Sequence, residues 1–167
     1  MPELTVRRAT GADFDAFMRV SSSAFLSAWV EREQWTRQVF DAHRYHGAFD
    51  ADELIGTCGI LGRRLTLPGA GPTPVAAVTA VTVKPGHRRR GALTRMMRAQ
   101  LHGLHDEGGE AVAVLWASEA TIYGRFGYGS AAHELVVQVP TKLAFRPGVY
   151  PGPHRVRQLP RDTAIPL

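Results

Sequence analysis

A chain of 167 residues with 44% hydrophobic and 21% charged side chains is long enough for one domain with a real core and ordinary for a soluble globular protein. It holds no apolar run of membrane-spanning length and no signal-like apolar core near the N-terminus, and its single cysteine excludes an internal disulfide and a cysteine-based metal site, so a cytoplasmic protein without a metal or membrane partner is expected. The net charge of +5 and an isoelectric point near 10.0 favour an anionic ligand, either nucleic acid or a small polyphosphate.

The elements follow from periodicity and punctuation. "LTVRRA" (4–9) alternates and predicts a strand. Residues 10–25 predict a helix, with Thr10 as N-cap, Asp13 three residues on, and Phe14, Phe17 and Met18 at helical spacing. A second helix is predicted over 29–42, with Trp35, Val39 and Phe40 on one face. Strands over 44–49 and 53–67 are joined by the acidic turn "DAD", and Cys58 reads as a small buried strand residue. "PGAGPTP" (68–74) reads as a loop, and "VAAVTAVTV" (75–83) as a strand buried on both faces. Lys84, Pro85 and Gly86 end that strand.

From Arg90 the pattern is helical, with Leu93, Met96, Met97, Leu101 and Leu104 on one face and Arg95, Arg98 and His102 largely on the other. "GG" at 108–109 stops it. A buried strand over 110–117, a short helix over 118–126 that Ser118 could cap, and a strand over 131–139 complete the series. The order β-αα-βββ-α-β-α-β is an α+β arrangement around one mixed, mostly antiparallel sheet with helices on both faces. Residues 1–150 are expected to form the domain. Residues 151–167 read as a linker followed by either a frayed terminus or the start of a second unit, since "VRQLPRD" (156–162) echoes "VRRATGAD" (6–13).

The charge is concentrated at one junction, Arg88 to Arg90, and is not interleaved with aromatics as a single-strand nucleic-acid surface would prefer. Basic residues at a helix N-terminus are locally unfavourable unless an anion binds. A strand, a tight loop and a helix opening at Gly91 form a phosphate cradle, because the first helical turn leaves N–H groups unpaired and glycine permits close approach. Arg88, Arg89 and Arg90 would add charge-assisted bonds. Neither the G-x-x-x-x-G-K-[ST] loop nor a G-x-G-x-x-G turn is present, which disfavours an ATPase or an NAD enzyme.

After the "VTV" strand, Arg88, Gly91 and Leu93 stand at the positions of the motif Q/R-x-x-G-x-G/A, and the segment resembles motif A of the GCN5-related N-acetyltransferases, the GNAT fold. The longer pattern "VTVKPGHRRRGALTRMM" followed by "ASEATIYGRFGYG" resembles the N-terminal region of the Eis (enhanced intracellular survival)-type acetyltransferases, in which leucine at the last motif place is usual. "HEL" at 133–135 also fits, and the resemblance is firm from about 75 to 137. It implies a GNAT acetyl-CoA-binding domain over 1–150, with the tail opening a second GNAT-like domain. Acetyl-CoA would be co-substrate, its pyrophosphate held by Arg89, Arg90, Gly91, Ala92, Leu93 and Thr94. The pantetheine arm and acetyl carbonyl would lie on the backbone of Val81, Thr82 and Val83. Ser118 and Glu119 match further cofactor contacts, and Tyr123 matches the proton donor.

Chemistry supports that donor: a neutral tyrosine, titrating near 10, can protonate a departing thiolate whose acid titrates near 8.5. Tyr128 is its rival and the better packing residue. No general base is assigned; Glu119, His133 and Glu134 qualify by type, and a water chain would also serve. The acceptor pocket is expected over the first two helices, near Phe25, Trp29 and Trp35, with Glu31 and Glu33 attracting a cationic amine. The resemblance implies a small-molecule amine acceptor of aminoglycoside or polyamine type, or lysine, and homo-oligomers are allowed for. Two alternatives stand beside this one: a CoA-binding GNAT-like module that lacks a completed site, and nucleic-acid binding through the basic surface.

Overall fold

Alternation at the N-terminus becomes strand β1 (Leu4–Arg8), and the helix that follows is α1 (Phe14–Ala24), entered through a 3-10 turn at Gly11–Asp13. The computed structural model describes residues 4–26, 33–139 and short stretches at 142, 146–148, 152–153 and 158–160, with the side chains of 33–35 outside that description. Next come α2 (Glu33–Val39), β2 (Tyr45–Asp50), β3 (Glu53–Leu67), β4 (Gly71–Val83), α3 (Ala92–Glu107) and β5 (Ala113–Leu115). All lie in the first of two compact units, Met1–Ser130 and Ala131–Leu167.

The five strands stand in sequence order. Each neighbour is antiparallel except the last pair, where β5 runs parallel to β4 after the α3 crossover. Strand alternation assigns the faces. Ala48 and Ile55 pack with Ala92 and Met96 of α3. Their chain neighbours Phe49 and Leu54 pack with Phe17 and Val20 of α1. The two helices therefore cover opposite faces of one mixed α+β sheet, as expected. Phe40, just past α2, joins the α1 face by edge contacts to Phe14 and Phe17 and a tilted contact to Tyr45.

The start of α1 shows how locally the sequence acts. The Asp13 carboxylate accepts hydrogen bonds from the Thr10 backbone N–H (2.8 Å) and hydroxyl (2.7 Å) and from both terminal nitrogens of Arg7. In α3, Met96 and Met97 are fully buried, and so is the polar Gln100, which its residue type does not announce. The helix ends at Gly108 in the left-handed conformation, as the glycine pair predicts.

Four expectations need correction. The buried strand expected over 110–117 is only β5, three half-buried residues, and Trp116 beyond it is exposed. Residues 71–74 are not loop but the start of β4, paired with Leu67 to Arg64. Pro72 and Pro74 are tolerated because β4 gains its second neighbour only at Ala76. The helix expected over 118–126 is two 3-10 turns, Ala120–Ile122 and Gly124–Phe126, because glycines at 124 and 127 interrupt it, the latter left-handed at φ 88°. The strand expected over 131–139 has no ladder partner among the described residues, and Leu135, Val136, Val137 and Val139 are exposed. A strand exists through its pairing, and this apolar alternation lies in the second compact unit.

Candidate active site

β4 and β5 pair for three residues, Ala76 to Val78 against Ala113 to Leu115. Beyond Val78 no pairing continues, and the backbone from Thr79 onward faces a cleft of about 800 Å³ whose other wall carries Leu115, Trp116, Ser118 and Glu119. At the same point β4 slips against β3: Thr57 pairs with Thr82, but Gly59 pairs with Thr79, so β4 contains an extra residue. Ala80 sits in this bulge with φ 51°, a left-handed backbone rarely adopted by a residue with a Cβ.

The cleft ends at the α3 N-terminus. Arg89 (φ 60°) and Gly91 (φ 84°) are both left-handed, a loop geometry that gathers N–H groups to one side. Gly91 is the N-cap, so no side chain satisfies the first turn, and that turn carries no acidic residue. The N–H groups of Ala92, Leu93 and Thr94 thus have no intrahelical acceptor, and all three residues line the cleft. Arg88 and Arg89 are exposed along the same wall.

Arg90 does something else. Its guanidinium donates to the Asp50 carboxylate at 2.6 Å, both side chains are largely buried, and Arg90 does not line the cleft. His87 approaches the same carboxylate at 3.7 Å. Lys84 pairs with Glu53 at 2.6 Å while its backbone N–H donates to the Ile55 carbonyl. The loop from 84 to 91 is therefore tied at several points to the β2–β3 turn. Of the sequence-selected arginines, Arg88 and Arg89 face the cleft and Arg90 anchors the loop.

Tyr123 reaches the cleft from the 3-10 turns after β5. Its ring meets Tyr128 edge-on at 5.8 Å, and burial pushes its hydroxyl pKa up. Burial pushes Tyr128 up to about 12; its hydroxyl is enclosed, has no hydrogen-bond partner among the described residues and does not line the cleft, as befits a packing residue. Ser118 lies one residue outside the cap position, which Glu119 holds, so the predicted cap is not made; both side chains are exposed on the cleft wall.

Val81, Thr82, Val83, Gly91, Ala92, Leu93, Thr94, Ser118, Glu119 and Tyr123, distant in sequence, thus share one cleft with Arg88 and Arg89. From α1, Ala24 and Phe25 line it too, and Phe25 is half exposed. Trp29 and Glu31 lie outside the described residues, as do the side chains of Glu33 and Trp35. His133 and Glu134 belong to the second unit. Among the described residues no three His, Cys, Asp or Glu gather as metal ligands do. Sequence reasoning missed Thr57, Ala80, Asp50 and Trp116. The "DAD" turn was the available signal for Asp50; no local signal marks a bulge.

Splayed parallel strands, a bulge at the splay and an uncapped helix N-terminus at its end define the class as the GNAT fold. The family model described as "Acetyltransferase (GNAT) domain" matches residues 5–131, and the chain belongs to that family. Among its relatives, a Streptomyces avermitilis protein named only as an N-acetyltransferase is 46% identical over 144 residues, covering 86% of this chain and 34% of its own length. The N-acetyltransferase Eis of Mycobacterium tuberculosis is 48% identical over 93 residues, 54% of this chain and 23% of that protein. The crystal structure of Eis1 from Mycobacterium abscessus superposes with a TM-score of 0.66 at 38% identity, covering 76% of this chain and 31% of that one. The chain thus spans between about a quarter and a third of the length of these three relatives.

Proposed function

We propose that this domain transfers an acetyl group from acetyl-CoA to a primary amine by direct attack on the thioester. The observation that carries the reading is the convergence of an uncapped helix N-terminus, an open strand edge and the Tyr123 side chain in one cleft. The cofactor's parts fit the residues present. The N–H groups of Ala92 to Thr94 and the exposed Arg88 and Arg89 would hold the pyrophosphate. The backbone of Val81, Thr82 and Val83, unpaired toward β5, would take the pantetheine amides in strand fashion and orient the acetyl carbonyl. Ser118 and Glu119 would flank the arm from the facing wall.

Tyr123 donates its hydroxyl proton to the sulfur as the carbon–sulfur bond breaks, so the leaving group departs as a neutral thiol. The tyrosinate regains a proton from solvent. The attacking amine must be neutral, and its proton passes to water; no side chain of this chain is assigned as base. Phe25 and Trp116, exposed at the cleft, and the carboxylate of Glu119 suit a cationic amine with apolar surface, which is why aminoglycoside-like and polyamine-like acceptors, and lysine, head the candidates.

The test is release of free thiol from acetyl-CoA with and without a panel of such amines. Amine-dependent release that falls by about a hundredfold or more in Tyr123→Phe is expected. Unchanged turnover in that variant would remove Tyr123 from the mechanism. The chain's coverage of about a quarter to a third of these relatives favours one second reading: a module that holds CoA but needs further chain to complete its site. Acetyl-CoA binding without any turnover would identify it.

A further inference from the structure

Thr57 was not selected from the sequence, and its side chain is wholly buried in β3. Its Oγ1 lies 2.7 Å from the Ala80 carbonyl oxygen and 2.9 Å from the Thr82 Oγ1. A hydroxyl has one proton to give. The Ala80 carbonyl can only accept, so Thr57 spends its proton there. The contact with Thr82 must then run the other way, Thr82 donating and Thr57 accepting. The bonds therefore have one direction: Thr82 hydroxyl to Thr57 hydroxyl to Ala80 carbonyl.

Both ends of this chain matter to the cleft. Ala80 is the left-handed residue of the bulge, a backbone state that persists only where its surroundings hold it. Thr82 lines the cleft, and its single proton is already committed inward. We propose that Thr57 is a positioning residue of the transfer reaction. It pins the β4 bulge so that the backbone of Val81 and Thr82 presents its polar groups at a fixed angle to the cleft, and it leaves the Thr82 hydroxyl an acceptor only, matched to an N–H of the bound molecule rather than to a carbonyl. This inference rests on the acetyl-transfer reading above and deepens it.

The full chain is compared with Thr57→Val, which keeps the shape and removes the hydroxyl, and Thr57→Ser, which keeps the hydroxyl. In the amine-dependent thiol assay, Thr57→Val is expected to lose about tenfold or more in kcat while KM for acetyl-CoA moves by less than about threefold, and Thr57→Ser should stay within about threefold of wild type. A valine variant with wild-type kcat, or a serine variant as impaired as the valine one, overturns the proposal. If the wild type shows no turnover, the functional reading has failed, and the positioning is read by NMR instead. Thr57→Val should then shift the amide resonances of Ala80 to Thr82 and speed their exchange, and Thr57→Ser should not; unmoved amides overturn it. If the valine variant does not fold, the wild-type Thr57 hydroxyl proton decides: slow exchange with through-space contacts to Ala80 and Thr82 supports the bonded chain, and fast exchange refutes it.

Discussion

Replacing Gly91 by alanine separates the stability of the phosphate cradle from its use. Gly91 has φ 84° and ψ 0°, and a Cβ built on it meets no heavy atom within 4 Å. The cost in the free protein is therefore conformational alone, about 1–2 kcal/mol for an L residue in the left-handed region. For a domain of this size that corresponds to a fall of roughly 3–8 °C in Tm. The new methyl would also stand on the cleft wall, beside the N–H groups of Ala92 to Thr94. If a phosphate sits there, affinity for acetyl-CoA should fall as well, by about tenfold or more, which is about 1.4 kcal/mol. Gly108, at the other end of α3, is the control, since it too is left-handed (φ 67°), has nothing within 4 Å of its added Cβ and lies off the cleft. Thermal melts and calorimetric titration with acetyl-CoA on Gly91→Ala and Gly108→Ala give both quantities. The expected pattern is similar melting losses with an affinity loss confined to position 91. Wild-type affinity in Gly91→Ala, or equal affinity losses in the two, would refute the placement of the phosphate.

Two further outcomes follow from charge pairs. Asp50→Asn leaves the largely buried Arg90 guanidinium without its counter-charge, so the 84–91 loop loosens: stability should fall by about 1–3 kcal/mol and the Kd for acetyl-CoA should rise several-fold, while kcat at saturation stays near wild type. Asp13→Asn should cost about 1 kcal/mol in a melt at neutral pH, through the lost ion pair with Arg7 and weaker capping at Thr10. The Arg7 guanidinium, bonded to both Asp13 oxygens, holds that carboxyl well below the usual carboxylate range. A lowered folded pKa stabilises fully above the unfolded value near pH 4 and loses its contribution as pH falls below it. Wild-type and Asp13→Asn melting temperatures should therefore converge on acidification below about pH 4, and a gap that stays constant would exclude the pairing as its source.

Much of this architecture could be read from local rules. The bounds of β3 and the stop of α3 at Gly108 are written in alternation and glycine, and the arginines and Gly91 of the cradle are legible because they lie together after a strand, whereas Val81 to Val83, Ser118, Glu119 and Tyr123 were singled out by the family resemblance. What sequence could not supply is long-range. The bulge at Ala80 arises from register against β3, and nothing in "VTAVTV" distinguishes it from an even strand. Arg90 looks identical to Arg88 and Arg89 until the β2–β3 turn brings Asp50 beside it. The apolar alternation of 131–139 predicts a strand in isolation, but pairing needs a neighbour, which periodicity cannot name. The glycines at 124 and 127 were visible signals that "SEATIYGRF" would not form a continuous helix.

Cys58 has a use that its place in the core confers. It is the chain's one thiol, it has no exposed surface, and burial pushes its pKa up to about 12. A disulfide-exchange reagent, which needs an accessible thiolate, finds nothing to react with while the fold is closed. Free thiol liberated from a cofactor is thus read against a silent protein. In the absence of cofactor the same reagent becomes a gauge of breathing: each labelled molecule records one excursion in which the β2–β3–α3 packing came apart, and the labelling rate measures how often the sheet opens.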